Sequence, residues 1–274
     1  MEKKIWQNII MKLAVITSIF YIVWRVANTI PTKFGAISLI LGIIYLAIEL
    51  VDLAEFLIQY IILYMPEVTL KKSETKEVPD VDILIATINE EEKLIEANIK
   101  AYLNMIYLDK EKIHIYVCDD GNRENIKRLS QKYSVGYITR NNNENAKAGN
   151  YNNALKHIHS KYIATFDADM CPKENFLEEL IPILESDNNI GFVQTPQEFK
   201  NLDIYQKRFG LNIPNAQNFF YHYMQIQKNK TNSVVYCGTN AIISHKALNK
   251  IGGFATNTLT EDIATRNVNR KCRL

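Results

Sequence analysis

Two aspartates separated by one small residue, Asp167 and Asp169, form a carboxylate pair that can do chemistry. The apolar run at 162–166 before them is typical of a short buried strand, which would end with both carboxylates at the edge of a sheet. Ligands of α/β proteins bind at such edges. Because neighbouring carboxylates repel each other, a site that keeps both ionised usually holds a hard cation such as Mg²⁺ or Mn²⁺. The pair alone is equally compatible with a solvated strand end.

Other polar residues follow the neighbouring predicted strands. Thr87 ends the run VDILIAT at 81–87 and Glu90 follows it, and Asp119-Asp120-Gly121 comes after 113–118. The DDG carboxylates can accept hydrogen bonds from a ribose or a base, although a plain turn also explains them. Lys147-Ala148-Gly149-Asn150 precedes a predicted helix, where backbone amides and an ammonium group can meet an anion. Together these residues predict a nucleotide diphosphate site with a bridging metal.

Later segments add candidates for an acceptor site and for a general base. Gln194 lies in a predicted strand, and in Cys237-Gly238-Thr239 the glycine lets a ligand approach the backbone. Glu261 and Asp262 stand at a predicted helix start, where an acid can act as general base, although such a triplet is more often a cap. The segment 211–228, rich in amides and aromatics, is typical of a sugar-binding groove and equally of an amphipathic helix against a membrane.

Apolar strands and amphipathic helices alternate from residue 81 onward. The predicted strands are 81–87, 113–118, 135–139 and 162–166, and the predicted helices are about 89–105, 124–133 and 150–157. This alternation predicts an α/β domain with a doubly wound, mostly parallel sheet.

The first 65 residues contain two long apolar runs, 9–27 and 34–65. Because the second exceeds the roughly 20 residues that cross a membrane, it must tilt or emerge into the interface. We therefore predict a transmembrane helical hairpin at 1–65, a polar linker at 66–79 and a folded domain at 80–274. Glu49, Asp52 and Glu55 recur on one side of the second run. They face another helix or an aqueous groove, or else the span ends near Glu49.

Basic residues are distributed unequally around the predicted hairpin. Lys3, Lys4, Lys71, Lys72 and Lys76 flank its two ends, against Arg25 and Lys33 near its link. By the positive-inside rule, the N-terminus and the folded domain are cytoplasmic, and the protein is a two-helix, multi-pass protein of the cell membrane.

The composition excludes several other classes of protein. With 274 residues, 47% of them hydrophobic, the chain can bury a full core. A net charge of +2, without a basic run that interleaves aromatics, argues against a nucleic-acid partner. Four cysteines lack C-x-x-C spacing and a nearby histidine pair, so a zinc site is not predicted.

The order of these motifs resembles that of the processive family 2 glycosyltransferases, most closely those of the bacterial cellulose synthase type. The resemblance runs from about residue 21 to residue 262. It is carried by TINE at 87–90, DDG at 119–121, KAGN at 147–150, DAD at 167–169, QTP at 194–196, CGT at 237–239, GGF at 252–254 and TED at 260–262. It implies a GT-A fold and inverting transfer of a sugar, with glucose expected, from a UDP-sugar to a growing β-glycan.

The resemblance also implies roles for single residues. The nucleotide sugar would be bound by Thr87, Glu90, Asp119, Asp120, Lys147 and Asp167. Asp169 would bind the metal, Mg²⁺ or Mn²⁺, and Asp262, next to Glu261, would take the proton from the acceptor. Cys237, Gly238, Thr239 and Gln194 would line the acceptor site. The implied partners are a UDP-sugar, the glycan acceptor, membrane lipid and accessory subunits of a synthase complex.

Two features depart from the family pattern. Ile88 stands where tyrosine is usual, and Asp262 is followed by only twelve residues, 263–274, without the expected Gln-x-x-Arg-Trp motif. We therefore expect a GT-A domain that is incomplete at its C-terminus, with a solvated or frayed tail. The alternatives are a catalytically silent fragment that binds UDP and metal, and a synthase that uses UDP-N-acetylglucosamine.

Overall fold

The computed structural model describes residues 2–74, 77–210, 213, 215–258, 260–266 and 272–273. The chain divides into two compact units, Met1–Pro66 and Glu67–Leu274. The first unit contains two long helices, and the second contains a seven-stranded sheet with helices.

The first unit consists of α1 (Glu2–Asn28) and α2 (Ala36–Tyr64). Within them Asn8–Asn28 and Ala36–Tyr64 are long and apolar enough to cross a membrane. Most of their large apolar side chains are exposed, among them Phe20, Ile37 and Val51. An exposed apolar surface of this extent is favourable in lipid and costly in water.

Polar contacts join the two helices of this unit. Glu49 accepts a hydrogen bond from the Tyr21 hydroxyl at 2.6 Å and pairs with the Arg25 guanidinium at 3.1 Å. Near the other end, Tyr64 donates to Asn8 at 3.0 Å. Of the three acids noted in the sequence, Glu49 therefore faces α1 of the same hairpin. An ion pair within an apolar surface lets each charge neutralise the other.

The second unit is built on a mixed, mostly parallel sheet with the strand order β3-β2-β1-β4-β6-β5-β7. The strands are β1 (Val81–Thr87), β2 (Ile113–Asp119), β3 (Gly136–Ile138), β4 (Tyr162–Asp167), β5 (Phe192–Gln194), β6 (Ala241–Ser244) and β7 (Cys272–Arg273). β1, β2, β3 and β4 are parallel to one another, whereas β6 runs antiparallel to both β4 and β5. The sequence patterns had not indicated β6.

Helices cover both faces of this sheet. They are α3 (Glu92–Leu103), α4 (Glu124–Lys132), α5 (Ala146–Ala154), α6 (Phe176–Ser186), α7 (Ile204–Phe209), α8 (Ala216–Phe219), α9 (Gln225–Lys230), α10 (His245–Asn249) and α11 (Glu261–Arg266). One core cluster packs α3, α4 and α6 on one face, and a second packs α5 and α10 on the other. β1 and β4 read as continuous apolar runs because both of their faces are buried.

Three expectations require correction. α5 begins at Ala146 and not near residue 150, so KAGN lies inside the helix instead of preceding it. The predicted linker packs on the sheet unit: Ser73 donates to the Pro182 carbonyl at 2.8 Å, and Leu70 contacts the core. The tail was expected to be solvated or frayed, but Cys272–Arg273 pairs with β5, and this pairing gives its backbone hydrogen-bond partners. The rest of 267–274 lies outside the described residues.

Candidate active site

The carboxyl ends of β2, β1 and β4 meet at one edge of the sheet. Thr87 lies opposite Asp119 in the strand register, and Ala86 lies opposite Asp167. Since neighbouring strands are about 4.8 Å apart, the strand-end residues inferred from the sequence are brought together. The structure thus builds a polar edge from three separate segments of the chain.

Glu90 closes the loop that follows β1. Its carboxylate accepts hydrogen bonds from the Thr87 hydroxyl at 2.6 Å and from the Ile88 amide at 2.8 Å. Partial burial acts to raise the pKa of Glu90, but these hydrogen bonds to the ionised form outweigh it, and the pKa is lowered. The side chain is thereby held ionised at the polar edge.

Asp119 is completely buried and is bound by Arg123. The guanidinium Nη2 lies 2.9 Å from one carboxylate oxygen, and the Arg123 amide donates to the other at 2.8 Å. Tyr137 also donates to Asp119, at 3.0 Å; burial together with this hydrogen bond raises the pKa of Tyr137 to about 12. The same guanidinium donates to the Thr87 hydroxyl at 2.7 Å, so it ties the ends of β1 and β2 together.

Asp120 forms a two-pronged ion pair with Arg140. Nε and Nη2 of the arginine lie 2.6 and 2.7 Å from the two carboxylate oxygens, and both side chains are more than nine-tenths buried. Arg140 also donates to the Glu144 and Ala146 carbonyls, at the start of α5. This arginine therefore links the DDG turn to the helix that carries Lys147.

Gly121 is required by a close approach of two loops. A Cβ at this position would overlap the Ile88 carbonyl oxygen. Beside it, the Asp120 amide donates to the Thr87 carbonyl at 2.9 Å. The glycine of DDG thus lets the turn after β2 pack directly against the loop after β1.

Sequence reasoning did not identify Arg123 or Arg140. A signal was present, since each arginine lies just beyond the end of a strand at the same edge. These arginines pair with both DDG carboxylates. A contact of Asp119 and Asp120 with a nucleotide stays a prediction.

Lys147 and Asp167 form an ion pair at the centre of the edge, with Nζ 2.5 Å from Oδ1. The lysine lies in the first turn of α5. Gly149, which we expected to present free backbone amides, instead donates its N–H to the Asn145 carbonyl at 3.0 Å as part of the helix. An anion near Lys147 would therefore meet the ammonium group and not the Gly149 amide.

The turn that carries Asp169 is held from α3. Asn98 donates to the Ala168 carbonyl, and the Tyr102 hydroxyl donates to the Met170 carbonyl at 2.8 Å. Burial raises the pKa of Asp167; Lys147 counteracts this, and the charges of Asp169 and Glu90 add to it. Asp169 itself is exposed.

The donor atoms at this turn fit a hard divalent cation. Asp167 and Asp169 offer carboxylate oxygens, and among the described residues no group of three or more His, Cys, Asp or Glu side chains converges. Mg²⁺ commonly takes one or two carboxylates and completes its shell with water and substrate phosphates. The pair accordingly suits a metal that arrives with a phosphate-bearing substrate.

The Cys237-Gly238-Thr239 segment is positioned from beneath by Gln194. This side chain is buried; it accepts from the Cys237 amide at 2.9 Å and donates to the Thr239 carbonyl at 2.9 Å. Thr239 in turn accepts from the Asp167 amide at 3.0 Å. Gln194 thus acts here as a positioning residue, and a direct contact between it and an acceptor stays a prediction.

Asp262 lies beside Gly238, close to Lys147. The φ of Gly238 is +72°, a conformation that favours glycine. A Cβ on Gly238 would lie 3.1 Å from Lys147 Nζ and 3.5 Å from Asp262 Cβ. A small cavity is lined by Lys147, Gly238, Glu261 and Asp262 among others. Lys147, a candidate for binding the nucleotide sugar, and Asp262, the candidate base, therefore both adjoin Gly238.

Cys237 does not have the properties of a nucleophile. Burial is the main cause that raises the pKa of its thiol to about 11. At neutral pH the group is the thiol and not the reactive thiolate. Its place beside Gly238 fits a packing role in the lining of the site.

The amide-rich and aromatic segment 211–228 becomes helical from Ala216, with a π-helical turn at Phe220–Met224 between α8 and α9. Gln225 is buried and bonds the backbone of Val235, whereas Phe219 and Tyr223 are exposed. Residues 211, 212 and 214 lie outside the described part. Both expectations for this segment, a sugar groove and a membrane contact, stay open.

Comparison with known proteins gives consistent matches. The family model described as glycosyl transferase family 2 matches residues 82–252. Cellulose synthase 2 of Novacetimonas hansenii is 31% identical over 93% of this chain and 16% of its own length. The UDP-forming catalytic subunit of cellulose synthase from Pseudomonas fluorescens is 33% identical over 92% of this chain and 35% of its own length. The chain thus spans about a third or less of the curated relatives it matches.

Solved structures show the same fold. A mannosyltransferase from Pyrobaculum calidifontis, solved with GDP-Man and Mn²⁺, has a TM-score of 0.63 at 18% identity, covering 81% of this chain and 61% of that one. The structure of Staphylococcus aureus TarS 1–349 with UDP-GlcNAc has a TM-score of 0.51 at 14% identity, and the match covers 68% of this chain and 52% of that one. These likenesses confirm the expected GT-A type of fold.

Proposed function

The chain belongs to glycosyl transferase family 2, and on that premise we propose that it transfers a sugar, with glucose the first candidate, from a UDP-sugar to a growing β-glycan with inversion. The observation that carries this proposal is the meeting of Lys147, Asp167 and Asp262 around Gly238. A transferase needs a cation for the departing diphosphate and a base for the acceptor hydroxyl. Lys147 would supply the cation and Asp262 the base, and both side chains adjoin Gly238.

On the donor side, Lys147 would move from Asp167 to the diphosphate when the nucleotide sugar binds. Asp167 would then help to hold the donor, and Asp169 would bind a divalent cation, Mg²⁺ or Mn²⁺. The bound cation supplies positive charge for the departing diphosphate. Thr87, Glu90, Asp119 and Asp120 would form the floor on which the nucleotide lies.

On the acceptor side, Asp262 would take the proton of the attacking hydroxyl. It stands in the first turn of α11, beside Glu261. Gly238 keeps the space between Lys147 and Asp262 free of a side chain, and the hydroxyl would use this space to approach the anomeric carbon in line. Cys237 and Thr239, fixed by Gln194, would border the terminal sugar of the glycan.

We further propose that the two apolar helices anchor the protein in the cell membrane as a two-helix hairpin. Their length and composition support this, as does the placement of basic residues that predicts a cytoplasmic N-terminus and catalytic domain. Membrane lipid would then surround the hairpin, and accessory subunits of a synthase complex are the expected protein partners.

The test is release of UDP from UDP-glucose by membranes that contain the chain. Asp169→Ala and Asp262→Asn should each abolish release, because one removes a metal ligand and the other removes the base. Glu178→Gln, at an exposed acid on α6, should leave it unchanged. UDP release that is unaffected in both site variants would reject the assignment.

Two further outcomes have defined meanings. UDP binding with Mg²⁺ by calorimetry, without any turnover, would identify a silent nucleotide-binding protein. Turnover of UDP-N-acetylglucosamine in preference to UDP-glucose would keep the reaction and change the sugar. Product analysis decides between these donors.

A further inference from the structure

A cavity of about 730 Å³ lies away from the candidate active site, at the opposite edge of the sheet. Lys161 directly precedes β4, whereas Asp167 ends it. Because β6 runs antiparallel to β4, Ser244 pairs with Tyr162 and α10 starts at this same edge. With about 3.3 Å per residue, the six-residue strand separates the two places by roughly 17 Å.

The polar lining of this cavity is basic. It contains His159, Lys161, His245, Lys246 and Lys250, over an apolar floor of Leu155 and Ile158. No aspartate or glutamate is among the lining residues. A concave surface with several positive or neutral nitrogen groups and no carboxylate attracts anions and repels cations.

Only one of the three lysines has its charge balanced in the described part of the chain. Lys161 pairs with Glu185 at 2.6 Å. Lys246 and Lys250 stand four residues apart around α10, where like charges repel, and no ion pair with either is seen among the described residues. An anion between them would relieve that repulsion.

The rim is preorganised where the chain turns into β4 and α10. His245 Nδ1 donates to the Ser160 carbonyl at 2.8 Å, since a carbonyl can only accept. The Ser160 amide donates to buried Asp82 at 2.9 Å, and the His245 amide donates to the Lys161 carbonyl at 3.0 Å. The imidazole is therefore fixed by its Nδ1 while it lines the cavity.

We propose that this basic cleft, formed by residues 155–161 and 245–250, binds a phosphate-bearing ligand. The ligand would place its phosphate oxygens between Lys246 and Lys250, with His159 and His245 at the sides. Both a soluble phosphate compound and the headgroup of an anionic phospholipid have this chemistry. The cleft is separate from the donor site, so the two can be occupied independently.

The first arm of the test is calorimetric titration of the full chain in neutral detergent with inorganic pyrophosphate, without divalent metal. Lys246→Gln/Lys250→Gln should weaken binding at least about tenfold, which corresponds to about 1.4 kcal/mol, because the phosphate loses two charge-assisted contacts. Lys200→Gln/Lys207→Gln, which removes the same charge from exposed positions around α7, should not. An unchanged melting temperature of the first double variant shows that its fold is intact.

The second arm places the chain in nanodiscs of phosphatidylcholine with or without phosphatidylglycerol. If the ligand is a lipid headgroup, phosphatidylglycerol should slow amide exchange at 155–161 and 245–250 in the wild type and not in Lys246→Gln/Lys250→Gln. Pyrophosphate binding without this effect would identify a soluble ligand. The proposal is overturned if neither occurs, or if pyrophosphate binding falls in Lys147→Gln while Lys246→Gln/Lys250→Gln binds normally.

Discussion

Replacement of Arg123 by methionine should destabilise the sheet unit strongly. Its partner Asp119 is fully buried, and the guanidinium is only about one-fifth exposed. Removing one member of a buried ion pair typically costs about 3–5 kcal/mol, because the remaining charge is buried without its counter-ion. The backbone amides at 121 and 123 and the Tyr137 hydroxyl still donate to Asp119, but they carry no compensating charge. Arg123→Met keeps much of the length of the side chain, so the loss is mainly electrostatic and not a cavity.

The melting temperature of the full chain in detergent, followed by near-ultraviolet circular dichroism, measures this effect. For a domain of this size 1 kcal/mol shifts the melting temperature by about 2–4 °C, so a decrease of roughly 6–20 °C is expected. Arg128→Met is the matched control. Arg128 lies on α4, which begins directly after Arg123. Its pair with Glu124 is 3.7 Å long with both side chains mostly exposed, a class of pair worth at most about 1 kcal/mol.

The two proteins should therefore differ clearly. Equal decreases for Arg123→Met and Arg128→Met would refute the reasoning, because burial of the pair would then have no consequence. A double variant, Arg123→Met with Asp119→Asn, adds a second check. Since it removes both charges, it should be more stable than the sum of the two single changes predicts.

Two further changes probe how the site is positioned. Arg140→Lys should raise KM for the donor more than it lowers kcat, because a point charge cannot reproduce the two-pronged pair with Asp120 that also fixes the start of α5; steady-state kinetics that show an unchanged KM contradict this. Gly238→Ala should lower kcat at least about tenfold, since the new methyl group contacts Lys147 Nζ. Gly252→Ala is the control: with φ of +84° and open space around it, the variant carries the same backbone strain and should affect stability alone.

The sequence allowed prediction of the fold where local pattern and tertiary burial agree. β1 and β4 are uniform apolar runs because a central parallel strand is buried on both faces, and they were located to within a residue. β6 was missed because four residues, AIIS, carry no usable pattern. Its antiparallel entry between β4 and β5 is decided by packing and not by propensity.

The candidate site divides in the same way. Strand ends are fixed by the strands, so Asp119 and Asp167 were correctly expected at one edge. Arginine partners are fixed by loops: Arg140 is twenty residues from Asp120 in sequence, and no local rule joins them. Similarly, α5 starts at positive φ angles of Asn145 and Ala146. Asparagine tolerates this conformation, but alanine does not favour it, so the sequence did not indicate a helix start at Ala146.

The arginine pairs change how the acidic edge should be understood. The edge carries five acids: Glu90, Asp119, Asp120, Asp167 and Asp169. Without internal partners these carboxylates would repel one another strongly, and each would need a bound cation from solution. The protein neutralises Asp119 and Asp120 internally with Arg123 and Arg140. The charge left for a metal or a donor is therefore concentrated at the turn after β4, where Lys147 is the only internal cation seen in the described part of the chain. Because that cation is also the group beside Gly238, donor binding that draws Lys147 away from Asp167 would alter the surroundings of Asp262 in the same step.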